Sequence, residues 1–254
     1  MRAMRSIIAG ALLLGVAAAP AYAQDEQPAV PAQHWSFDGV FGSYDLAAAQ
    51  RGLQVYGEVC SNCHSLHLLH YRDLSGIGLT PDQIKGFAAG FTVPLGTNDQ
   101  GDPVTGPALP ASPFRAPFAN EKAARAANNG ALPPDLSLIV SAREGHDDYV
   151  YAILTGYADP PAGFTMQDGM NYNKYFLGHQ IAMPQPLHDG QVTYADGTNA
   201  SIEQMAHDVV TFLHWAANPE LVERKQIGWR FVLFFVFLTG LTYAVKRKVW
   251  ADVH

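Results

Sequence analysis

Apolar residues first gather in a run from Ile7 to Ala19, preceded by Arg2 and Arg5 and followed by Ala21-Tyr22-Ala23. A basic start, an apolar core too short to span a bilayer comfortably and a small-x-small close mark residues 1–23 as a secretory signal peptide, with the mature chain starting at Gln24. From Gln24 to Gln33 the chain is polar and carries Pro28 and Pro31, the composition of an extended arm. Helical periodicity then begins. Leu46, Ala49, Leu53 and Tyr56 recur on one face behind Asp45, which can cap a first turn, and the run ends at Val59. Thr80 followed by Pro81 starts a second, short helix to Ala89. Six prolines between Thr92 and Phe118 break every period, so that stretch is read as a long irregular surface segment.

Asn120 caps a third helix that Asn129-Gly130 ends. After Pro133-Pro134, the residues Leu136, Ile139, Val140 and Arg143 stand at helical spacing, and Tyr149, Val150, Ile153 and Leu154 give one apolar face to a helix over 147–154. The run from Tyr157 to Phe176 is rich in Gly, Pro, Asn and Tyr and reads as a loop folded over something flat and apolar. The clearest amphipathic helix runs from Ser201 to Ala217, with Ile202, Met205, Val209, Phe212 and Leu213 on one face; Pro219 ends it. Beyond the polar residues Glu220 to Gln226, the nineteen residues from Ile227 to Val245 are apolar apart from Arg230, with Trp229 and Tyr243 near the two ends. Such a helix rises about 28 Å, close to the hydrocarbon thickness of a bilayer, and Arg230 can snorkel to the interface. Lys246-Arg247-Lys248 follows at once, which places that end in the cytoplasm and the preceding domain on the exported side.

The pattern therefore predicts a mainly α protein with long irregular loops plus one C-terminal transmembrane helix. Its segments are a signal peptide (1–23), an exported domain (24–226), the span (227–245) and a cytoplasmic tail (246–254). Charge adds a partner. Of 16 Lys+Arg and 23 Asp+Glu residues, six basic ones (Arg2, Arg5, Arg230, Lys246, Arg247, Lys248) and Asp252 fall in or beyond the two apolar segments, leaving 10 basic against 22 acidic residues and a balance of −12 between them. Nucleic acid is excluded as a partner by this balance, since phosphate contacts need a basic face. A basic protein suits it, through steering of the encounter; plain solubility is the alternative reason for the acidity.

The chemistry is concentrated in Cys60-Ser61-Asn62-Cys63-His64. Two thiols separated by two residues can each add to one vinyl group of a haem, and the following imidazole then reaches the iron. Zinc needs about four ligands, and with no third cysteine it would have to recruit His67 and His70 from the same turn. A thioredoxin-like pair requires a βαβ context that is lacking in the pattern, and a plain disulfide this close would be strained. The reading is a c-type cytochrome-like domain with one covalently bound haem c. Export agrees with it, because covalent haem attachment in bacteria takes place outside the cytoplasmic membrane.

With His64 on one side of the iron, the other axial position is open or filled. Met166, Met170, Met183 and Met205 are the sulfur candidates, and Met205 is explained by its place on an apolar helix face. Met183 stands in Ile181-Ala182-Met183-Pro184-Gln185-Pro186-Leu187, where two prolines stiffen the loop and direct the sulfur. A thioether opposite imidazole raises the reduction potential; a second histidine, from His67, His70, His179 or His188, would lower it.

Several further blocks carry a resemblance: Val59 to Ser65 around the attachment site, Ala126-Ala127-Asn128-Asn129-Gly130-Ala131-Leu132-Pro133-Pro134-Asp135-Leu136-Ser137, then Asp148-Tyr149-Val150, Leu154-Thr155-Gly156-Tyr157, Ala182-Met183-Pro184 and the C-terminal anchor. Across essentially the whole mature chain these resemble the cytochrome c1 family, the haem subunit of the quinol:cytochrome c oxidoreductase (cytochrome bc1) complex, in its alphaproteobacterial form. The attachment motif is common to all c-type cytochromes, and the Pro-Pro-Asp-Leu-Ser and late methionine blocks are the specific ones. The resemblance implies Met183 as the second axial ligand, Arg143 paired with a haem propionate, Tyr149 close to the propionates, and Asn128, Pro133 and Pro134 lining the pocket. A guanidinium suits the propionate role, since it can hold a carboxylate by two parallel hydrogen bonds. Two features depart from the pattern: Gln185 interrupts what is commonly a three-proline run, and the cysteine pair that braces this region in some bacterial relatives is missing.

The implied function is electron transfer without bond-making chemistry. A Rieske iron–sulfur protein delivers electrons and a soluble basic cytochrome c removes them, beside cytochrome b and membrane lipid, in a dimeric multisubunit complex of the bacterial cytoplasmic membrane. The rivals are a tethered haem c carrier serving a terminal oxidase and a haem enzyme or gas sensor with an open iron site.

Overall fold

The computed structural model describes residues 28–252; the signal-peptide reading and the start at Gln24 lie outside the described residues. Six α-helices order the described residues: α1 (Leu46–Glu58), α2 (Pro81–Ala89), α3 (Glu121–Ala127), α4 (His146–Thr155), α5 (Ile202–Ala217) and α6 (Leu221–Val249). Strands are few and short, in two antiparallel pairs, β1 (Thr92–Thr97) with β2 (Pro103–Pro107) and β3 (Asn171–Tyr172) with β4 (Gln180–Ile181). The fold is thus mainly α with long loops, as the pattern predicts.

The helix starts follow from local side-chain chemistry. Asp45 accepts from the amides of Ala47 and Ala48, Asn120 from Ala123 and Ser201 from Gln204, while Thr80 and Gln83 bond reciprocally at the head of α2. Each satisfies amides that a first turn leaves without intrahelical partners. The core lies where α1 and α5 cross. Gly52 is required there, because a Cβ would stand 2.0 Å from the Asp208 carbonyl oxygen. Beside it Arg51 forms a bidentate pair with Asp208, both bonds 2.9 Å, and reaches Asp196 at 3.0 Å. Apolar side chains from both helices, Leu53, Tyr56, Val209 and Phe212 among them, complete the contact.

α4 packs on α5 through the Asp147–His214 contact at 2.8 Å. The chain preceding α1 lies over this pair: Phe37 stacks on His214 with ring centroids 3.9 Å apart, and the Trp35 indole donates to Asp148 at 2.8 Å.

Three stretches differ from the expectation. Within the proline-rich segment 92–118, β1 and β2 form a hairpin, bulged between Pro94 and Gly96, whose turn is closed by the Asn98 side chain accepting from the amides of Gln100 and Asp102. The returning chain is then held to 69–72 by Phe114 N–H to Leu69 O and Tyr71 N–H to Ser112 O. Leu136 to Arg143 makes turns in place of a helix, with three-residue steps from Ile139 N–H to Leu136 O and from Ser141 N–H to Leu138 O, while the Leu136 amide bonds across to Ser65. Residues 221–226 form the first turns of α6, since after Pro219 no helix breaker stands among them. α6 is long and apolar enough to cross a membrane, and its apolar stretch packs against nothing in the domain. A buried core helix is thereby excluded.

Candidate haem site

The attachment motif closes the end of α1. Cys60–Asn62 forms a single 3₁₀ turn, and the amides of Cys63 and His64 both donate to Cys60 O, at 3.1 and 2.9 Å, which brings the two cysteines and the histidine onto one compact turn. Ser61 Oγ–H caps Gly57 O at 2.8 Å and Tyr56 O–H donates to His64 O at 3.1 Å, so the turn is tied to its helix from both sides. Burial, with Cys63 adjacent, pushes the Cys60 thiol up to about 12.

His64 is oriented by the segment after α3. Its Nδ1 lies 2.7 Å from Pro134 O. A carbonyl can only accept, so Nδ1 carries the proton and Nε2 keeps its lone pair for a metal. Burial lowers the His64 pKa, against the opposing pull of the Pro134 carbonyl and Asp135, and this favours the neutral imidazole a metal requires.

Asp135 clamps the two segments together. It accepts from Ser65 Oγ at 2.6 Å, from the His67 amide at 2.9 Å and from the Ser137 amide at 2.9 Å, and His67 Nδ1 lies 2.7 Å away. Leu136 N–H to Ser65 O and Leu68 N–H to Ser137 Oγ extend the pairing. Burial alone would raise this carboxyl, but the bonds from Ser137, Ser65 and His67 outweigh it and hold the pKa at about 2. A carboxyl depressed in the fold stabilises it fully above the ordinary value near 4, and the contribution fades as pH falls toward 2. Replacing Asp135 by Asn should therefore cost about 2 kcal/mol at neutral pH. The deficit should shrink between pH 4 and pH 2, read from denaturant midpoints of the loaded protein; a pH-independent deficit would remove the electrostatic part of the account.

Met183 belongs to a different apolar cluster, with Tyr149, Ile153, Ile181 and Tyr157. Its backbone is fixed twice, since Tyr157 O–H at 3.0 Å and Asn171 Nδ2–H at 3.3 Å both donate to Met183 O. Replacing Tyr157 by Phe should loosen this loop by about 1 kcal/mol. Broadened or shifted absorption of a ligated methionine would report it, and an unaltered spectrum and midpoint would show Asn171 suffices.

α4 serves both clusters. Val150 and Leu154 enter the main core, which Cys60 and Val59 also touch, while Tyr149 and Ile153 enter the Met183 cluster. The helix thus joins the cluster that the thiols touch to the one that holds the methionine. The remaining implied residues make contacts of their own. Asn128 ends α3, its side chain donating to Ala124 O at 2.7 Å and its carbonyl accepting from Ala131. Pro133 and Pro134 lead into the Asp135 clamp. Arg143 is exposed, bonded within the protein to its neighbour's carbonyl Ala142 O at 3.2 Å, and its charge acts on Tyr149, whose pKa burial raises and Arg143 draws back. An exposed guanidinium beside a phenol suits an anionic substituent.

Four of the competing ligands have contacts of their own. His67 and His70 turn to Asp135 and Asp73, and no metal-holding group of three or more His, Cys, Asp or Glu occurs among the described residues. Met205 is wholly buried in α5. His179 packs against the rings of Tyr172 and Phe164. Sequence reading missed Asp135, Tyr157 and Asn171 as supporting residues, and Arg115, which donates to Ser61 O at 3.4 Å while its buried Nε has no protein partner.

Comparison with known proteins gives one family profile, described as the cytochrome C1 family, matching residues 35–253. The chain is 43% identical to a cytochrome c1 of Rhodospirillum rubrum over 98% of its own length and 97% of the relative's. It is 44% identical to a cytochrome b/c1 of Bradyrhizobium diazoefficiens, covering 99% of this chain but 40% of that longer protein. With the mitochondrial cytochrome c1 haem protein of Saccharomyces cerevisiae the identity is 47%, over 88% of this chain and 72% of the relative.

Proposed function

Because the chain belongs to the cytochrome c1 family, we propose that it carries one haem c on Cys60 and Cys63, with His64 and Met183 as the axial ligands, and passes electrons from a Rieske iron–sulfur protein to a soluble basic cytochrome c. It is a membrane-anchored electron carrier, and α6 is the anchor. The observation that carries the site assignment is the Nδ1 contact of His64 with Pro134 O at 2.7 Å, which commits the ring to presenting Nε2.

A haem supplies the one-electron couple, and the residues around it set its potential and hold it. Pro134 keeps His64 in one tautomer and Asp135 keeps Pro134 in place. Tyr157 and Asn171 hold the Met183 backbone, compensating for the Gln185 interruption of the proline run. Arg143 and Tyr149 receive the propionates, and Asn128, Pro133 and Pro134 line the edge. On the exported side of the bacterial cytoplasmic membrane, the acidic domain (24–226) offers its surface to the basic acceptor. The span sits beside cytochrome b and lipid within a dimeric complex, and the tail after Val245 is cytoplasmic.

Purification in mild detergent should yield the chain together with cytochrome b and a Rieske protein, and its reduced spectrum should be indifferent to carbon monoxide at neutral pH. Carbon monoxide binding would reject the six-coordinate site; isolation without either companion would reject the complex. The rate of reaction with a basic cytochrome c should fall as ionic strength rises, since surface charges are screened within about 10 Å at 0.1 M salt.

A further inference from the structure

Between Trp35 and Tyr44 the chain makes a tight turn that presents two adjacent apolar residues to solvent, Val40 at 65% and Phe41 at 84% exposure, although Trp35 and Phe37 just before them are buried. The turn is built rather than loose. Asp38 N–H donates to Trp35 O and Ser43 N–H to Ser36 O, both at 3.0 Å, and Asp38 Oδ2 accepts from the Trp35 amide at 3.1 Å. Gly39 takes φ +69°, and at Gly42 a Cβ would stand 2.0 Å from Asp38 O.

Its two ends are fastened to the start of α6. The Lys225 ammonium donates to Phe37 O and to Gly42 O, and Tyr44 O–H donates to Asn218 O at 2.8 Å. Lys225 precedes the apolar stretch that begins at Ile227 by two residues, about 3 Å of helix rise. Trp229 and Arg230, whose guanidinium lies 5.9 Å from the indole centroid, occupy the same level, and such residues mark the boundary between headgroups and hydrocarbon.

We infer that the turn Asp38–Phe41 is a second membrane contact, in which Val40 and Phe41 enter the boundary between lipid headgroups and acyl chains beside α6. The inference rests on the reading of α6 as the membrane span. Continuity with that span selects lipid as the occupant: Lys225, about 3 Å of helix rise from the apolar stretch, holds both ends of the turn, and a phenyl ring entering the boundary removes apolar surface from water. Arg224, Lys225 and Arg230 add cationic groups suited to anionic headgroups. With one contact on the α6 axis and a second beside it, the haem domain is fixed in tilt as well as in height.

The test uses the full haem-loaded chain, with the subunits that co-purify, in nanodiscs of phosphatidylcholine and phosphatidylglycerol containing phosphatidylcholine with a diazirine near the glycerol end of one acyl chain. After illumination, peptide mapping should find lipid adducts on Val40–Phe41 as well as on 227–245. The double variant Val40→Ser/Phe41→Ser should lose the turn adducts at least fivefold and keep those on α6. Adducts on α6 with none on the wild-type turn, whether water or a neighbouring subunit covers it, would overturn the inference alone. Absence of adducts from α6 would overturn the inference and the membrane-span reading together.

Discussion

Replacing Met183 by Leu should leave the haem covalently attached and lower its reduction potential by on the order of 0.2 V, a fraction of the roughly 0.8 V range that axial ligation commands. Leu conserves volume, so the apolar wall of Tyr149, Ile153 and Ile181 stays filled. Tyr157 and Asn171 bond the backbone carbonyl of residue 183 and are indifferent to the side chain. The loss is therefore confined to the thioether, which favours ferrous iron. Reduction by the iron–sulfur partner should slow in step with the lost driving force, and the reduced variant should now bind carbon monoxide. A redox titration giving the wild-type potential would refute the ligand role.

The largest stability effect is expected at Arg51→Ala. Asp208 is 0% exposed, and its carboxylate is met by Arg51 through two bonds of 2.9 Å and by Gln204 Nε2–H at 3.0 Å. Removing the guanidinium leaves a buried charge with one neutral donor, and breaking a pair of this kind costs about 3–5 kcal/mol. Arg51 also lies over the Tyr194 ring, 5.7 Å from its centroid, so packing is lost with the charge. The guanidinium makes both bonds in one plane; Arg51→Lys keeps the charge with a single point of contact and should recover part of the loss. Denaturant midpoints of the loaded protein would decide it, and a deficit below about 1 kcal/mol would mean that water replaces the arginine.

What sequence reading recovers here are the features encoded within a few residues. Asp45, Thr80, Asn120 and Ser201 each cap a helix a few residues away, and the thiol pair with His64 is a contiguous motif. The loop that carries Met183 stands out for a related reason, because prolines on either side of Gln185 mark a stiffened stretch. Features that depend on a distant partner are missed. Leu136 to Arg143 has helical spacing, yet it folds as turns whose start is bonded to Ser65 and Leu68, some seventy residues away. In the hairpin, Pro94 and Gly96 hide the alternation of a strand, although Asn98-Asp99-Gln100-Gly101 carries turn chemistry that could have been recognised. Tyr157 and Asn171 could not be singled out, since nothing in a Gly- and Asn-rich loop says which of its polar groups meets the carbonyl of residue 183.

The junction between α5 and α6 has a mechanical consequence. The two helices are separated by the three residues Asn218–Glu220, Asn218 accepts from Tyr44, and Lys225 in the second turn of α6 grips the chain at Phe37 and Gly42. A strut of this kind has no swivel. Any swing of the domain about α6 has first to break these bonds.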